Sequence, residues 1–526
     1  MYDAIVVGSG AAGGWAAKEL TRRGLRTLLL EAGRTLDTQK DFPQPGGGAS
    51  KLQILDRVRG ALGGQEVQAR CMSFSEQTRR LFVNDRENPY TTDGGRFNWY
   101  RGRQVGGRLH LWGRNAVRIS DEDLHAASRD GYGPMWPIDY SDLAPWYEQV
   151  ERFLGVWGSP AGIANLPDGE YAGPLPITQA ERRVLDTLAH VWPELPATTA
   201  RIVRHHAGPL PLTLEAALQT GLLELRSDAV VSRIETDPQT GLATGLTYLD
   251  RRTKEKHTAR GRCVVVCAST IESLRILLHS KSARHPAGIG NSTGLLGHGL
   301  TDHVFVFRAG PHAPIEASLK EDPFDFGAQT GIYIPSFRNT GAARERGFLR
   351  GYSLLGSVGR IAPGWFFMAV GEMLPRHENC VVLDKRRRDA WGIPLARIRC
   401  EHSDNERAMV RDMIGTLEEL AGKCGLELGQ LQGERLIAKA IHRVAAPLVY
   451  TPDGAMVPGS AIHESGGAPM GDDPKSSVLN RHNQCWDAPN VYVTDSAAFP
   501  TSPFQNPGLT IMALSARAGN HIADHL

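Results

Sequence analysis

This 526-residue chain carries no long apolar run: no stretch approaches the roughly 18 uninterrupted hydrophobic residues that a spanning helix needs. An excess of either charge is also missing. Lys and Arg number 59 against 57 Asp and Glu, a formal net charge of +2, so no global field recommends nucleic acid or an anionic membrane as partner. The one short basic run, "DKRRRD" from Asp384 to Asp389, is bracketed by acids and is expected to be a solvated turn. The seven cysteines (Cys71, Cys263, Cys267, Cys380, Cys400, Cys424, Cys485) are odd in number, scattered and without a C-x-x-C pair. That argues against a disulfide framework or a structural zinc site, and no metal is expected. No repeat of 20 to 50 residues is evident. Met1 leads straight into strand-like sequence with no room for a charged segment and an apolar one, so the expectation is a cytoplasmic protein, with export beside a signal-bearing partner left open.

What is present is ordinary core-building material, 41% hydrophobic and 22% charged residues, in a chain longer than one hydrophobic core usually supports. Two or more domains are expected, possibly interleaved. The N-terminal "YDAIVVGSGAAGGWAAKELTRRGLRTLLLEAG" reads as strand, turn, helix, strand. Ala4 to Val7 is a short apolar run suited to a parallel strand buried on both faces. Gly8, Gly10 and Gly13 then complete G-x-G-x-x-G around Ala11 and Ala12. The first Gly permits the tight turn, the second lets backbone approach a pyrophosphate, and the third lets the following helix pack closely on the strand. Gly24 is placed to end the helix, and Thr27 to Leu30 forms a second strand ending in Glu31, where an acid can accept hydrogen bonds from a ribose. These residues call for a dinucleotide; NAD and FAD both satisfy them.

Beyond Gly33 the periodicity stops. Asp37 to Gly64, rich in Gly, Pro and polar residues, is expected to be an excursion or lid. Phe97 to Leu124 sets paired glycines among Arg, Trp and His, a composition able to thread past a planar ligand. Ser141 is the expected cap of a helix with Tyr147, Val150, Phe153 and Leu154 on its apolar side. Alternating residues from about 223 predict a small antiparallel meander that delivers the buried strand "CVVVCAS" near residue 265. From about 301 to 457 strand-like runs surround one clear helix, capped by Ser403 and ended by Gly425. "NVYVTDSAAFP" returns to an apolar strand followed by Asp495. The expected class is α/β, with a Rossmann-like nucleotide domain (parallel sheet plus β-meander) drawn from residues 1–36, 200–300 and 458–526. It is interleaved with an α+β substrate domain on an antiparallel sheet, residues 37–199 and 301–457.

The chemistry-bearing pair is His463, in "AIHESGGAPMG", and Asn506, in "FPTSPFQNPGLTIMAL". Oxidising an alcohol removes a hydroxyl proton and a hydride, and a neutral imidazole suits the first task near physiological pH. Small residues after His463 allow a flat ring against the backbone. Asn506 precedes Pro507, Gly508 and a closing helix whose N-terminal amides point at whatever lies beside it.

This constellation resembles the glucose-methanol-choline (GMC) family of FAD-dependent oxidoreductases over nearly the whole chain, through "GSGAAGG…LLLEAG", "CVVVCASTIESLRILLHS", "HESGGAPMG" and "NVYVTDSAAFPTSPFQNPGLTIMAL". The resemblance implies FAD held by Gly8, Gly10, Ala11, Ala12, Gly13, Glu31 and Ala32, with Val230 and Ala268 near the adenosine half. Asp495 would meet the pyrophosphate or ribityl region. Arg101, Gly106, Gly107, Trp112, Gly113, Pro507 and Thr510 would complete the cofactor contacts. His463 would take the hydroxyl proton, Asn506 would orient the alcohol, and hydride would pass to flavin N5. Within the family, "VNDRENPYTT", "YRGRQVGGRLHLWGRNAVRISDEDL" and "GEMLPRHENCVVLD" are most similar to the bacterial glucoside 3-dehydrogenase branch, with pyranose oxidases close by. That implies oxidation of a sugar or glycoside secondary hydroxyl, the 3-hydroxyl of a pyranoside, with dioxygen, a quinone or a cytochrome as electron acceptor and a small partner subunit in some relatives. The alternatives are another hydroxyl of a natural-product sugar, of pyranose 2-oxidase or aminoglycoside type, and a flavin-retaining lyase. Two departures stand out. Gly467 replaces the Thr of the family's H-x-x-G-T, and His110 falls one residue early for a flavin-linking His, with Leu111 before Trp112, so the FAD is expected to be non-covalent.

Overall fold

The computed structural model describes residues 1–42, 53–204, 208–311, 329–341, 347–360, 364–429 and 446–526. Five parallel strands form the first sheet, in the spatial order Leu223–Arg226, Thr27–Leu30, Tyr2–Val7, the second half of Lys256–Val266, and Val491–Val493. Ala4, Val6, Leu29 and Val265 point to one face, which the helix Ala11–Arg22 covers. Ile5, Val7, Leu28, Val264 and Val266 point to the other and join the main core. The inner strands are therefore apolar on both faces, as their uninterrupted sequence requires, whereas the edge strand Leu223–Arg226 carries Glu224 and Arg226.

The strand Lys256–Val266 belongs to two arrangements. Residues 256 to 260 run antiparallel to Ala243–Asp250, which pairs in turn with Ala229–Thr236. Residues 261 to 266 then run parallel to Tyr2–Val7. The meander and the third parallel strand expected from sequence are thus one continuous element. Three chain segments far apart in sequence meet in this sheet, each inside the stretches assigned to the nucleotide domain.

The second large sheet is antiparallel, ordered Val304–Gly310, Trp365–Gly371, Tyr352–Val358, Ile332–Ile334 and Thr198–Thr199. The helix Asp404–Lys423 packs on it, Met409 and Met413 filling the space over Gly371 that a Cβ would otherwise occupy. Ser403 caps this helix with Glu406 as its reciprocal partner, and Gly425 follows at φ +63°. The Asp384–Asp389 run is not the turn expected: residues 384–388 end the strand Cys380–Arg388, which bulges between Leu383 and Arg388, so that residues 385–388 are exposed while Asp384 accepts from the amides of Arg386 and Arg387.

Two further expectations need correcting. Ser141 is not the cap of its helix. The helix is Tyr140–Leu154, and Asp139 stands at the cap because the Asp142 carboxylate accepts from the Asp139 amide at 3.0 Å. The stretch from Asp37 to Gly64 is not structureless either: it contains the helices Thr38–Asp41 and Gln53–Leu62, while residues 43–52 lie outside the described part. Its glycines cluster in that middle portion, which hid the helical residues on each side.

Candidate active site

An elongated cavity starts at the glycine turn and runs to His463, lined by Gly8, Gly10, Glu31 and Val230 at one end and Trp112, His463, Pro507 and Gly508 at the other. At its nucleotide end each glycine has its own reason. Gly8, at φ +98°, would bring a Cβ to 2.5 Å from the Cys267 carbonyl, and a Cβ on Gly13 would lie 1.8 Å from the Gly8 carbonyl. A Cβ on Gly10 would meet no protein atom within 4 Å, so that face is open. Close packing at two positions and open space at the middle one suit a pyrophosphate against the N-terminus of Ala11–Arg22.

Glu31 is buried and accepts from the Ser9 amide (3.1 Å), the Ser9 hydroxyl (2.6 Å) and the Gly33 amide (2.7 Å). Burial pushes its carboxyl above the usual range, opposed by these hydrogen bonds. Ser9, which sequence reading passed over, also accepts from the Gly106 amide at 2.9 Å and so ties the turn to the segment that forms the cavity wall. Asp495 caps the short helix Ser496–Ala498 and accepts from the Ser273 hydroxyl at 2.5 Å, its carboxyl raised to about 6 by burial.

At the far end, residues 301 to 303 are zipped onto 463 to 465 by reciprocal amide bonds between Thr301 and Ser465 (2.9 and 3.0 Å). Asp302, almost fully buried, accepts from the amides of Gly459 (2.6 Å), Ala461 (3.2 Å) and His463 (3.0 Å). That carboxylate holds Ile462 at φ +63°, an uncommon conformation for a β-branched residue. Burial, with Glu464 nearby, raises the Asp302 carboxyl to about 7. The His463 ring packs edge-on to His303 and Phe305, its Nδ1 2.9 Å from Nδ1 of His303, and the Asn506 side-chain amide lies 3.3 Å from its Nε2. Burial, His303 and Arg108 hold the His463 imidazolium well below its ordinary range, so the ring is neutral at physiological pH. Arg108 pairs with the buried Glu464 at 2.7 Å and donates to the Ser269 hydroxyl at 2.7 Å.

Of the expected residues, Gly8, Gly10, Ala11, Ala12, Glu31, Ala32, Arg101, Gly107, Trp112, Gly113, Val230, Ala268, His463, Asp495 and Pro507 line this cavity. Gly13 lies beneath it, Gly106 reaches it through Ser9, and Asn506 reaches it through His463. Thr510 is turned away, fully buried with its hydroxyl 2.8 Å from that of Tyr147. Its place one turn into the closing helix directs it toward the helix Tyr140–Leu154. Arg101 lays its guanidinium over the Trp99 ring (4.1 Å), and burial lowers it to about 10. His110 bonds the Val105 carbonyl at 2.9 Å and lies outside the cavity wall, which Leu109 and Leu111 form instead. Gly467 sits at φ +93°, which strains any L side chain, and a Cβ there would also meet the Leu274 side chain at 2.5 Å, so this backbone conformation disfavours the family's Thr. The residues missed in sequence are Ser9, Asp302, His303 and Glu464; "TDHVF" carries no spacing signal, and Glu464 was visible only as a neighbour of His463.

The comparisons agree with this geometry. Residues 375–515 match the profile described as GMC oxidoreductase. The chain is 28% identical to 2-methyl-1,2-propanediol dehydrogenase of Mycolicibacterium austroafricanum over 99% of this chain and 95% of that protein. It is 28% identical to paromamine 6'-oxidase of Streptomyces fradiae over 100% and 92%. Its fold is that of pyridoxine 4-oxidase from Mesorbium loti, with a TM-score of 0.63 at 16% identity over 99% and 98% of the two chains. With the glycine turn, the acid at Glu31 and the His463–Asn506 pair on one cavity, residues 375–515 carry the C-terminal domain of GMC oxidoreductases, and the chain is similar over its whole length to enzymes that oxidise CH–OH groups.

Proposed function

We propose that the protein oxidises a hydroxyl of a sugar or glycoside to a carbonyl, the 3-hydroxyl of a pyranoside in its sharpest form. The observation that carries the reading is the 3.3 Å approach of the Asn506 amide to Nε2 of a neutral His463 in the cavity wall. A hydroxyl set beside both atoms can donate to Nε2 and accept from Nδ2, which is the arrangement a general base needs. FAD, when bound along the cavity against Gly10 and Glu31, would supply the acceptor for hydride. His463 takes the hydroxyl proton while Asn506 steadies the oxygen on which charge develops. Pro507 and Gly508 begin the closing helix at this end of the cavity, and the positive end of that helix favours the same charge. Phe82, Tyr100 and Ile462 contribute apolar wall, which limits water around the reacting bond.

The 3-position rests on sequence segments similar to the glucoside 3-dehydrogenase branch. A second reading, another hydroxyl of an aminoglycoside-type sugar, is favoured by the whole-chain similarity to a paromamine 6'-oxidase. The electron acceptor belongs to the same proposal: dioxygen, a quinone or a cytochrome, with or without a small partner subunit. The test is anaerobic addition of methyl β-D-glucopyranoside, paromamine and a vicinal diol to the FAD-bound protein. Bleaching of the visible flavin band, followed by NMR location of the new carbonyl, separates the two readings. A flavin that stays oxidised with every polyol would sink both.

A further inference from the structure

We infer that His303 is a positioning residue that fixes His463 in the tautomer with its proton on Nδ1 and a bare Nε2 facing the substrate. The inference rests on the reading of His463 as the base, and adds a chain of hydrogen bonds whose direction is set at its far end.

Nε2 of His303 lies 2.8 Å from the Pro503 carbonyl and 3.3 Å from both the carbonyl and the hydroxyl of Ser502. A carbonyl cannot donate, so the short contact to Pro503 requires a proton on Nε2 of His303. Burial opposes a second proton on this ring, lowering the imidazolium to about 4. Nδ1 of His303 is therefore bare and can only accept. Its partner, 2.9 Å away, is Nδ1 of His463, which must donate. A neutral imidazole has one N–H, so Nε2 of His463 carries a lone pair, and the Asn506 amide facing it at 3.3 Å is a donor, consistent with that polarity. The reverse chain fails, because a bare Nε2 on His303 would confront two carbonyl oxygens.

The surrounding charges leave this logic intact. Asp302 spends both oxygens on backbone amides, and Glu464 is paired with Arg108. Among the described residues no carboxylate hydrogen-bonds to either ring of the pair, so the tautomer is set by a neutral acceptor. A carboxylate in that place would also stabilise the imidazolium. A neutral acceptor orients the base while leaving it deprotonated over a wider pH range. The proximity of the two rings follows from the fold: the Thr301–Ser465 bridge sets 303 beside 463 just before the strand Val304–Gly310 begins.

The experiment uses the FAD-bound full chain labelled with ring-¹⁵N histidine, the His463 signals being those lost in His463→Gln. The wild type is expected to show a protonated Nδ1 and a bare Nε2 on His463. His303→Leu should give a mixture of tautomers, and His303→Asn, whose side-chain oxygen can accept at the Nδ1 position, should restore the wild-type pattern. In parallel, flavin reduction by methyl β-D-glucopyranoside should fall about 10²-fold in His303→Leu and recover at least about tenfold in His303→Asn, as expected when a general base loses and regains its orientation. A proton on Nε2 of His463 in the wild type, or a His303→Leu protein with the wild-type ¹⁵N pattern, overturns the inference. Wild-type reduction by His463→Gln would instead overturn the base reading, and the tautomer pattern would still judge His303 separately.

Discussion

The side-chain amide of Asn506 lies 3.3 Å from Nε2 of His463, and the two residues reach that distance from separate segments, one from the strained loop 459–463 and one from the residue before a helix-capping proline. The pair is thus held by backbone, with Asp302 anchoring one side and the start of Gly508–His525 the other.

Replacing His463 with Ala is expected to slow flavin reduction by about 10²–10⁴-fold, the usual contribution of a positioned base. Asn506→Ala, which removes a donor to the developing charge, should cost about 10²-fold. Both variants should keep their FAD, because the glycine turn and Glu31 lie at the other end of the cavity. Stopped-flow reduction alongside the FAD-to-protein ratio checks this; a variant that loses the cofactor in step with its rate would show that the pair acts in binding.

The pH dependence follows from the direction of the His463 shift. The base works when neutral, and its imidazolium is held below the ordinary value of about 6.5 by burial, His303 and Arg108. The rate should therefore lose nothing to His463 as pH falls through 6.5, and its limb should lie further to the acid side. Asp302, raised to about 7, titrates above it. A limb near neutrality that disappears in Asp302→Asn would belong to the loop anchor, whereas one that survives it and lies at 6.5 or higher would contradict a neutral His463.

Local sequence was a good guide wherever one element carried one signal. Gly8, Gly10 and Gly13 with the strands around them, and the Ser403 cap with its partner Glu406, were legible because turn chemistry and apolar runs are decided within a few residues. The site was legible only where residues mark themselves. His463 sits in a run of small residues, but His303 and Asp302 are brought to it by a bridge 164 residues long in sequence, between Thr301 and Ser465. No periodicity encodes that. Thr510 shows the converse: its helix was foreseen, yet its face was not, because which side of a buried helix meets the cavity depends on the packing of Tyr147.

The glycine turn gives a prediction that separates folding from binding. Gly13→Ala should fail to fold stably, since its Cβ would stand 1.8 Å from the Gly8 carbonyl. Gly10→Ala meets no protein atom within 4 Å and should fold with an unchanged apo melting temperature. Its FAD affinity should nevertheless fall at least tenfold, because the methyl projects where the pyrophosphate approaches. Apo melting curves and FAD titrations measure the two quantities independently; equal FAD affinity for Gly10→Ala and the wild type would place the pyrophosphate elsewhere.

Gly467→Thr, which restores the family's usual residue, is expected to harm this protein. A φ of +93° costs a β-branched residue about 1–3 kcal/mol, and the new Cβ would press on Leu274 from 2.5 Å. The melting temperature should drop by several degrees with no gain in flavin reduction. A faster and equally stable Gly467→Thr protein would mean that the loop 463–468 adjusts to accept the side chain.

Glu372 offers a test of stability away from the cavity. Its carboxyl is raised to about 7, by burial first, despite the Arg350 guanidinium 3.2 Å away. A carboxyl whose folded value lies above its unfolded value of about 4.3 binds protons more tightly in the native state, so its contribution to stability falls as pH rises from about 4 to 7 and is fully lost above 7. Glu372→Gln removes that dependence, while Arg350 keeps its 2.6 Å pair with Asp130. Relative to the wild type, the variant should therefore gain stability between pH 5 and pH 8. Chemical denaturation at the two pH values gives the difference directly, and a variant that instead loses ground as pH rises would show that Glu372 is ionised and paired in the native protein.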